Sequence, residues 1–137
     1  MAYTLVDAIE AVQALVEGVT GIRAAPVYAP ESLTVFPISV AFPGNSTWEI
    51  GPVGSGKSLQ TIVVEIHLQR VDLPRDIQAA MAFSDAVPLA ILADPTLGGT
   101  VQTFRGMRGE FGPLGWNGVP TIGFRFFVEG IKMVTSF

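Results

Sequence analysis

The sequence predicts an α+β domain: a mostly antiparallel sheet of about five strands with two helices packed on one face. Three observations carry that expectation. Apolar residues recur at helical spacing near the N-terminus, residues 59–70 alternate with period two, and the segments come in the order helix, three strands, helix, two strands. A chain of 137 residues suits one domain, 1–137, and can bury roughly two-thirds of its unfolded surface without disulfides or metal.

Thr4 is placed to cap the first helix, with Asp7 in the capping-box position. Leu5, Ile9, Val12 and Val16 form its apolar stripe, and Gly18 or Gly21 can end it in a left-handed conformation. Residues 23–32, with Pro26 and Pro30, read as an extended connection. Residues 33–42 predict a strand presenting Phe36, Ile38, Val40 and Phe42, and Pro37 confines it to an edge or a bulge. Residues 43–46 predict a turn and 47–50 the returning partner strand. In residues 59–70, Ile62, Val64, Ile66 and Leu68 face one way, while Thr61, Val63, Glu65, His67 and Gln69 face the other. This alternation fits a sheet with one covered face.

Asp72 predicts the cap of a second helix, with Pro74 in its first turn. Ile77, Ala80, Met81, Ser84, Val87 and Ile91 supply its expected buried stripe, and Pro88 should kink or split it. Asp94-Pro95 ends the helix and residues 96–99 turn the chain. Residues 100–106 predict a fourth strand, 107–118 a Gly-rich loop carrying Arg108 and Trp116, and 119–129 the last strand.

Charged residues make up 15% of the chain, against a usual share of about 25%. So little charge suits a surface partly hidden against other subunits. The net charge of −4 argues against binding nucleic acid by phosphate neutralisation. The absence of cysteine removes disulfides, thiol nucleophiles and zinc–thiolate sites. No apolar stretch approaches the ~20 residues of a spanning helix, and Met1 to Val6 lacks the form of a signal peptide. A soluble protein without a membrane partner is expected.

Gly51-Pro-Val-Gly-Ser-Gly-Lys57-Ser58 matches the phosphate-binding pattern GxxxxGK[ST] at every required position. That chemistry needs a helix starting at the Lys, whose N-terminal amides cradle the phosphate. Here period-two, β-branched sequence follows Ser58, so Lys57 and Ser58 read as a decoy in a hairpin tip. His67 is the only histidine, and it lies beside Glu65 on the more polar strand face. A partly exposed structural pair explains the two more simply than acid–base catalysis. No metal site, cofactor or catalytic residue is expected. Arg105, Arg108 and Trp116 read as a small basic–aromatic cluster for a protein partner, and Trp48 as an interface anchor.

The N-terminal amphipathic helix is followed by a long strand ending Val64-Glu-Ile-His-Leu-Gln-Arg-Val-Asp-Leu73. The second helix closes with Asp94-Pro-Thr-Leu-Gly-Gly-Thr-Val101, and Gly115-Trp-Asn-Gly118 leads into the last strand. Together these resemble the tail terminator and tail-completion proteins of long-tailed bacteriophages, and the related small minor tail and neck proteins. The similarity runs from Thr4 to about Glu129, and its best local signature is Asp94 to Val101. The resemblance implies a structural virion protein, made in the host bacterial cytoplasm and located in the tail or neck. Such proteins form a homo-oligomeric ring, commonly a hexamer. The ring caps the tail tube protein, stops its polymerisation and joins the head–tail connector. DNA passes through the lumen without specific binding. A neck adaptor or minor tail protein of similar fold is the alternative within this class; a small nucleotide-binding protein using Lys57 and Ser58 is the alternative outside it. The hairpin carrying Lys57 is then a loop reaching the next subunit or the tube.

Overall fold

The structure, a computed structural model, describes residues 3–50 and 56–133. Its elements are α1 (Leu5–Glu17), β1 (Ile38–Ile50), β2 (Gly56–Gln69), α2 (Leu73–Met81), α3 (Phe83–Leu92), β3 (Val101–Thr103), β4 (Gly106–Trp116) and β5 (Val119–Met133). All sheet pairings are antiparallel, in the order β1–β2–β5. The far edge of β5 is shared: β4 pairs along 119–129 and β3 along 132–133. The α+β fold is as expected, and five strands are present.

Two of the five differ from the sequence reading. Residues 43–46 are not a turn. β1 runs straight through them with an irregularity between Pro43 and Ser46, so 47–50 continue the same strand. A bulge accommodates Pro43, which lacks an N–H, and the Ser46 hydroxyl donates to Gln60 Oε1 at 2.5 Å. Residues 107–118 are not a loop either. β4 occupies most of them and turns into β5 through Asn117 and Gly118, both at positive φ. Asn-Gly between two strands is the signal for such a two-residue hairpin.

The helices cover one sheet face. Ala8, Ile9, Val12 and Val16 of α1 and Phe83, Val87 and Ile91 of α3 pack with Ala41, Ile62, Val64, Ile66, Ile122, Phe126 and Val128. Buried Gln13 fixes α1 to the sheet: its Nε2 donates to the carbonyls of Pro26 (2.8 Å) and Ser39 (2.9 Å), and its Oε1 accepts from the Ser39 hydroxyl. The Thr4 N–H donates to the Asp7 carboxylate at 2.8 Å, and the expected capping box of Thr4 and Asp7 is present.

The second helix breaks at Ala82, and Pro88 lies inside α3. Its expected stripe is only half buried: Ile77 and Met81 of α2 are exposed and Ser84 is half-buried, while Ala80, Val87 and Ile91 are buried. At the helix exit, Asp94 Oδ2 accepts from the Gly98 N–H at 2.8 Å. Leu97, Gly98 and Gly99 all have positive φ, which reverses the chain into β3.

Candidate functional site

On the sheet face away from the helices, β2 places Glu65 and His67 two residues apart, and β5 sets Arg125 opposite Glu65. Arg125 Nε donates to Glu65 Oε2 at 2.7 Å. His67 Nε2 lies 2.9 Å from Glu65 Oε1, and His67 Nδ1 lies 2.5 Å from Thr121 Oγ1. With Nε2–H donating to the carboxylate, Nδ1 accepts the threonine hydroxyl. The indole of Trp116 stands edge-on to His67 with centroids 5.8 Å apart, and meets the Phe42 ring at 6.0 Å. Its Nε1–H donates to the Pro30 carbonyl at 2.8 Å. Trp116 is the last residue of β4 and Phe42 belongs to β1, so the sheet is curled enough to bring its two margins together.

The Glu65–His67 pair is therefore not partly exposed, as the alternation suggested. His67 and Thr121 are 0% exposed and Glu65 is 3% exposed. Burial alone raises the Glu65 carboxyl, but the hydrogen bonds and charges of His67 and Arg125 outweigh it and hold the group below its ordinary value. A hydroxyl, an imidazole and a carboxylate in line make a proton relay of the kind used by hydrolases. An attacking hydroxyl must reach its substrate, and Thr121 does not reach the surface. A cleft of about 450 Å³ beside Glu17, Arg23 and Pro30 does not touch the quartet of Glu65, His67, Thr121 and Arg125. Another, of about 280 Å³ beside Val6, Tyr28 and Phe42, does not touch it either. What this arrangement does is hold β2, β5 and the β4 margin in one geometry.

The expected partner residues fall in separate places. Trp48 (65% exposed) and Ile50 (95% exposed) lie on the distal part of β1, where every residue from Pro43 to Ile50 is exposed. Lys57 lies on β2 opposite Glu49, and Ser58 opposite Trp48. Since β2 starts at Gly56, a strand runs through Lys57 where a phosphate-binding loop would begin its helix. Residues 51–55 of that motif lie outside the described residues. Arg105, Arg108 and Trp116 do not form a cluster. Arg108 pairs opposite Phe127 and Trp116 opposite Val119, eight positions apart on β5, or about 27 Å of strand. Arg108 instead stacks over Phe127 at 3.8 Å and bonds Glu129 at 3.3 Å. Arg105 is exposed, and its backbone N–H donates to the Glu129 carbonyl.

One apolar surface has no counterpart in the sequence reading. Leu73, Ile77 and Met81, four residues apart on α2, are exposed together with Leu89 of α3. The i, i+4 spacing marks the stripe, but it does not tell a core-facing stripe from an outward one. Among the described residues no group of acidic and imidazole side chains has the makings of a metal site, and no helix is long and apolar enough to cross a membrane. No protein-family model matches the chain, and no curated protein matches it.

Proposed function

We propose that this chain is a self-assembling structural protein of the phage virion, a tail terminator whose ring caps the tail tube and joins it to the neck. The observation that supports this best is the distal part of β1. It carries Trp48 and Ile50 into solvent, and large aromatic side chains exposed on an extended element are the usual anchors of protein interfaces. Low overall charge points the same way. The ring is about six subunits, its partners are the tube and connector proteins, and its net-negative lumen lets DNA slide past. The strand through Lys57 weighs against nucleotide binding at the Walker-like segment.

Native mass spectrometry across concentration, with and without MgATP, tests the reading. The expected result is a closed oligomer near six subunits with no specific nucleotide adduct. A chain that stays monomeric at every concentration overturns self-assembly. One MgATP bound per chain, and lost in Lys57→Ala, replaces the structural reading with nucleotide binding.

A further inference from the structure

We propose that the cleft within the α1–β1 connection binds a small zwitterion: an apolar body carrying an ammonium and a carboxylate, the chemistry of an amino acid or a dipeptide. The ammonium meets Glu17 at the end of α1, and the carboxylate meets Arg23. This site does not depend on the self-assembly reading above.

The first observation is the connection itself. Residues 18–37 join α1 to β1 with no helix or strand beyond the single bridge of Ala24 to Ile38. Irregular connections longer than about 12–15 residues are uncommon in a compact domain and usually carry function. This one is tied down along its length. The Arg23 N–H donates to the Pro37 carbonyl and the Ser39 N–H to the Ala24 carbonyl, both at 2.9 Å. The Pro26 carbonyl accepts from buried Gln13 and the Pro30 carbonyl from Trp116, each at 2.8 Å. These bonds reach α1, β1 and β4, so the walls of the cleft are fixed before a ligand arrives, which lowers the cost of binding.

The second observation is the lining. A volume of about 450 Å³ lies within the range of small-molecule sites, about 300–1,000 Å³. Apolar residues, among them Pro26, Pro30 and Ile38, make up most of the wall, and its two charged residues are Glu17 and Arg23. Among the described residues neither side chain makes a hydrogen bond or an ion pair, with the other or with a third group. Two opposite charges held apart on one apolar cleft suit a ligand that carries both. An ion of either sign alone would be repelled by one of them.

The third observation is the position of Glu17. It is the last residue of α1, and no basic residue stands in that last turn. The carbonyls at a helix C-terminus already concentrate negative charge, so a carboxylate there is unfavourable and a cation favourable. Residues that break a local rule with no compensation inside the chain mark functional positions. A bound ammonium supplies the missing compensation. Arg23 presents the paired N–H donors that match a carboxylate.

Saturation-transfer NMR reads weak binding whatever the oligomeric state. The probes are the dipeptide leucyl-phenylalanine, its C-terminal amide, which lacks the carboxylate, and its N-acetyl form, which lacks the ammonium. At neutral pH and low salt the dipeptide should bind at millimolar concentration, and each derivative about threefold more weakly. Arg23→Gln should erase the preference for the dipeptide over its amide and keep the preference over the N-acetyl form; Glu17→Gln should do the reverse. No saturation transfer to the dipeptide overturns the site. Equal binding of the three probes, or preferences that survive both substitutions, overturns the assignment of the two charges. Glu17→Gln should also leave the urea midpoint unchanged or higher, because it removes a carboxylate from the negative end of α1. A lowered midpoint means that Glu17 serves the fold, and overturns its role in binding.

Discussion

Glu65 shows how one residue's role depends on its neighbours. In the sequence it is a carboxylate on the polar side of a strand; in the fold it is buried beside His67 and Thr121 and bonded to Arg125, whose side chain reaches solvent. Its carboxyl titrates below its ordinary 4.5 because His67 and Arg125 outweigh the burial that would raise it. A group with a depressed folded-state value favours the folded state above its unfolded value. That contribution is lost as pH falls through the folded value. Urea unfolding followed from neutral pH down past 4 should show an acid loss in the wild type that Glu65→Gln lacks. The variant should also be less stable at neutral pH, since Arg125 and His67 lose a charged acceptor. Parallel profiles for the two proteins would place the acid sensitivity in other carboxylates. The pairing of Glu65 with His67 could be read from their two-residue spacing, but their enclosure could not. Arg125 and Thr121 lie more than fifty residues away, and only the β2–β5 register brings them alongside.

At the scale of elements, the β2–β5 pair is the most tightly specified part of the sheet. Gly123 sits opposite His67, and a Cβ there would stand 1.8 Å from the Ile66 carbonyl oxygen. Gly123→Ala would therefore force the two central strands apart and should cost about 3 kcal/mol in chemical denaturation. Unchanged stability would mean that β5 can shift without loss. The same residue type means something different along β4, where a Cβ added at Gly106 or Gly112 would meet nothing within 4 Å. This is why β4 was hidden from sequence reasoning: glycine every third residue masks the alternation and reads as a loop. Asn117-Gly118, at positive φ in the turn, was the signal that marked the hairpin. Pro43 and Gly44 misled in the opposite direction, since a proline–glycine pair marks a turn more often than a bulge within a strand.

For the whole molecule, the curled sheet leaves the helices on one face and the quartet on the other, with Trp116 joining the β4 margin to Phe42 and Pro30. Trp48 and Ile50 on β1 and Ile77, Met81 and Leu89 on the helices are left exposed at the surface. If folding is linked to assembly, the melting temperature depends on protein concentration, because association draws on the folded state alone. Scans between about 1 and about 100 μM should shift it upward by a few degrees. A midpoint independent of concentration would mean that the measured unit is a monomer.

Composition and periodicity by themselves determined the class of the fold, the first helix with its stripe at Leu5, Ile9, Val12 and Val16, the alternation of β2, and the turn at residues 96–99. These depend on the chain's own covalent geometry and on residues within one or two turns of each other. Tertiary structure decided which way α2 turns its apolar stripe, that His67 is enclosed, and that Arg108 and Trp116 stand apart. Those features depend on which distant strands become neighbours and in what register, and that is settled by the packing of the whole chain.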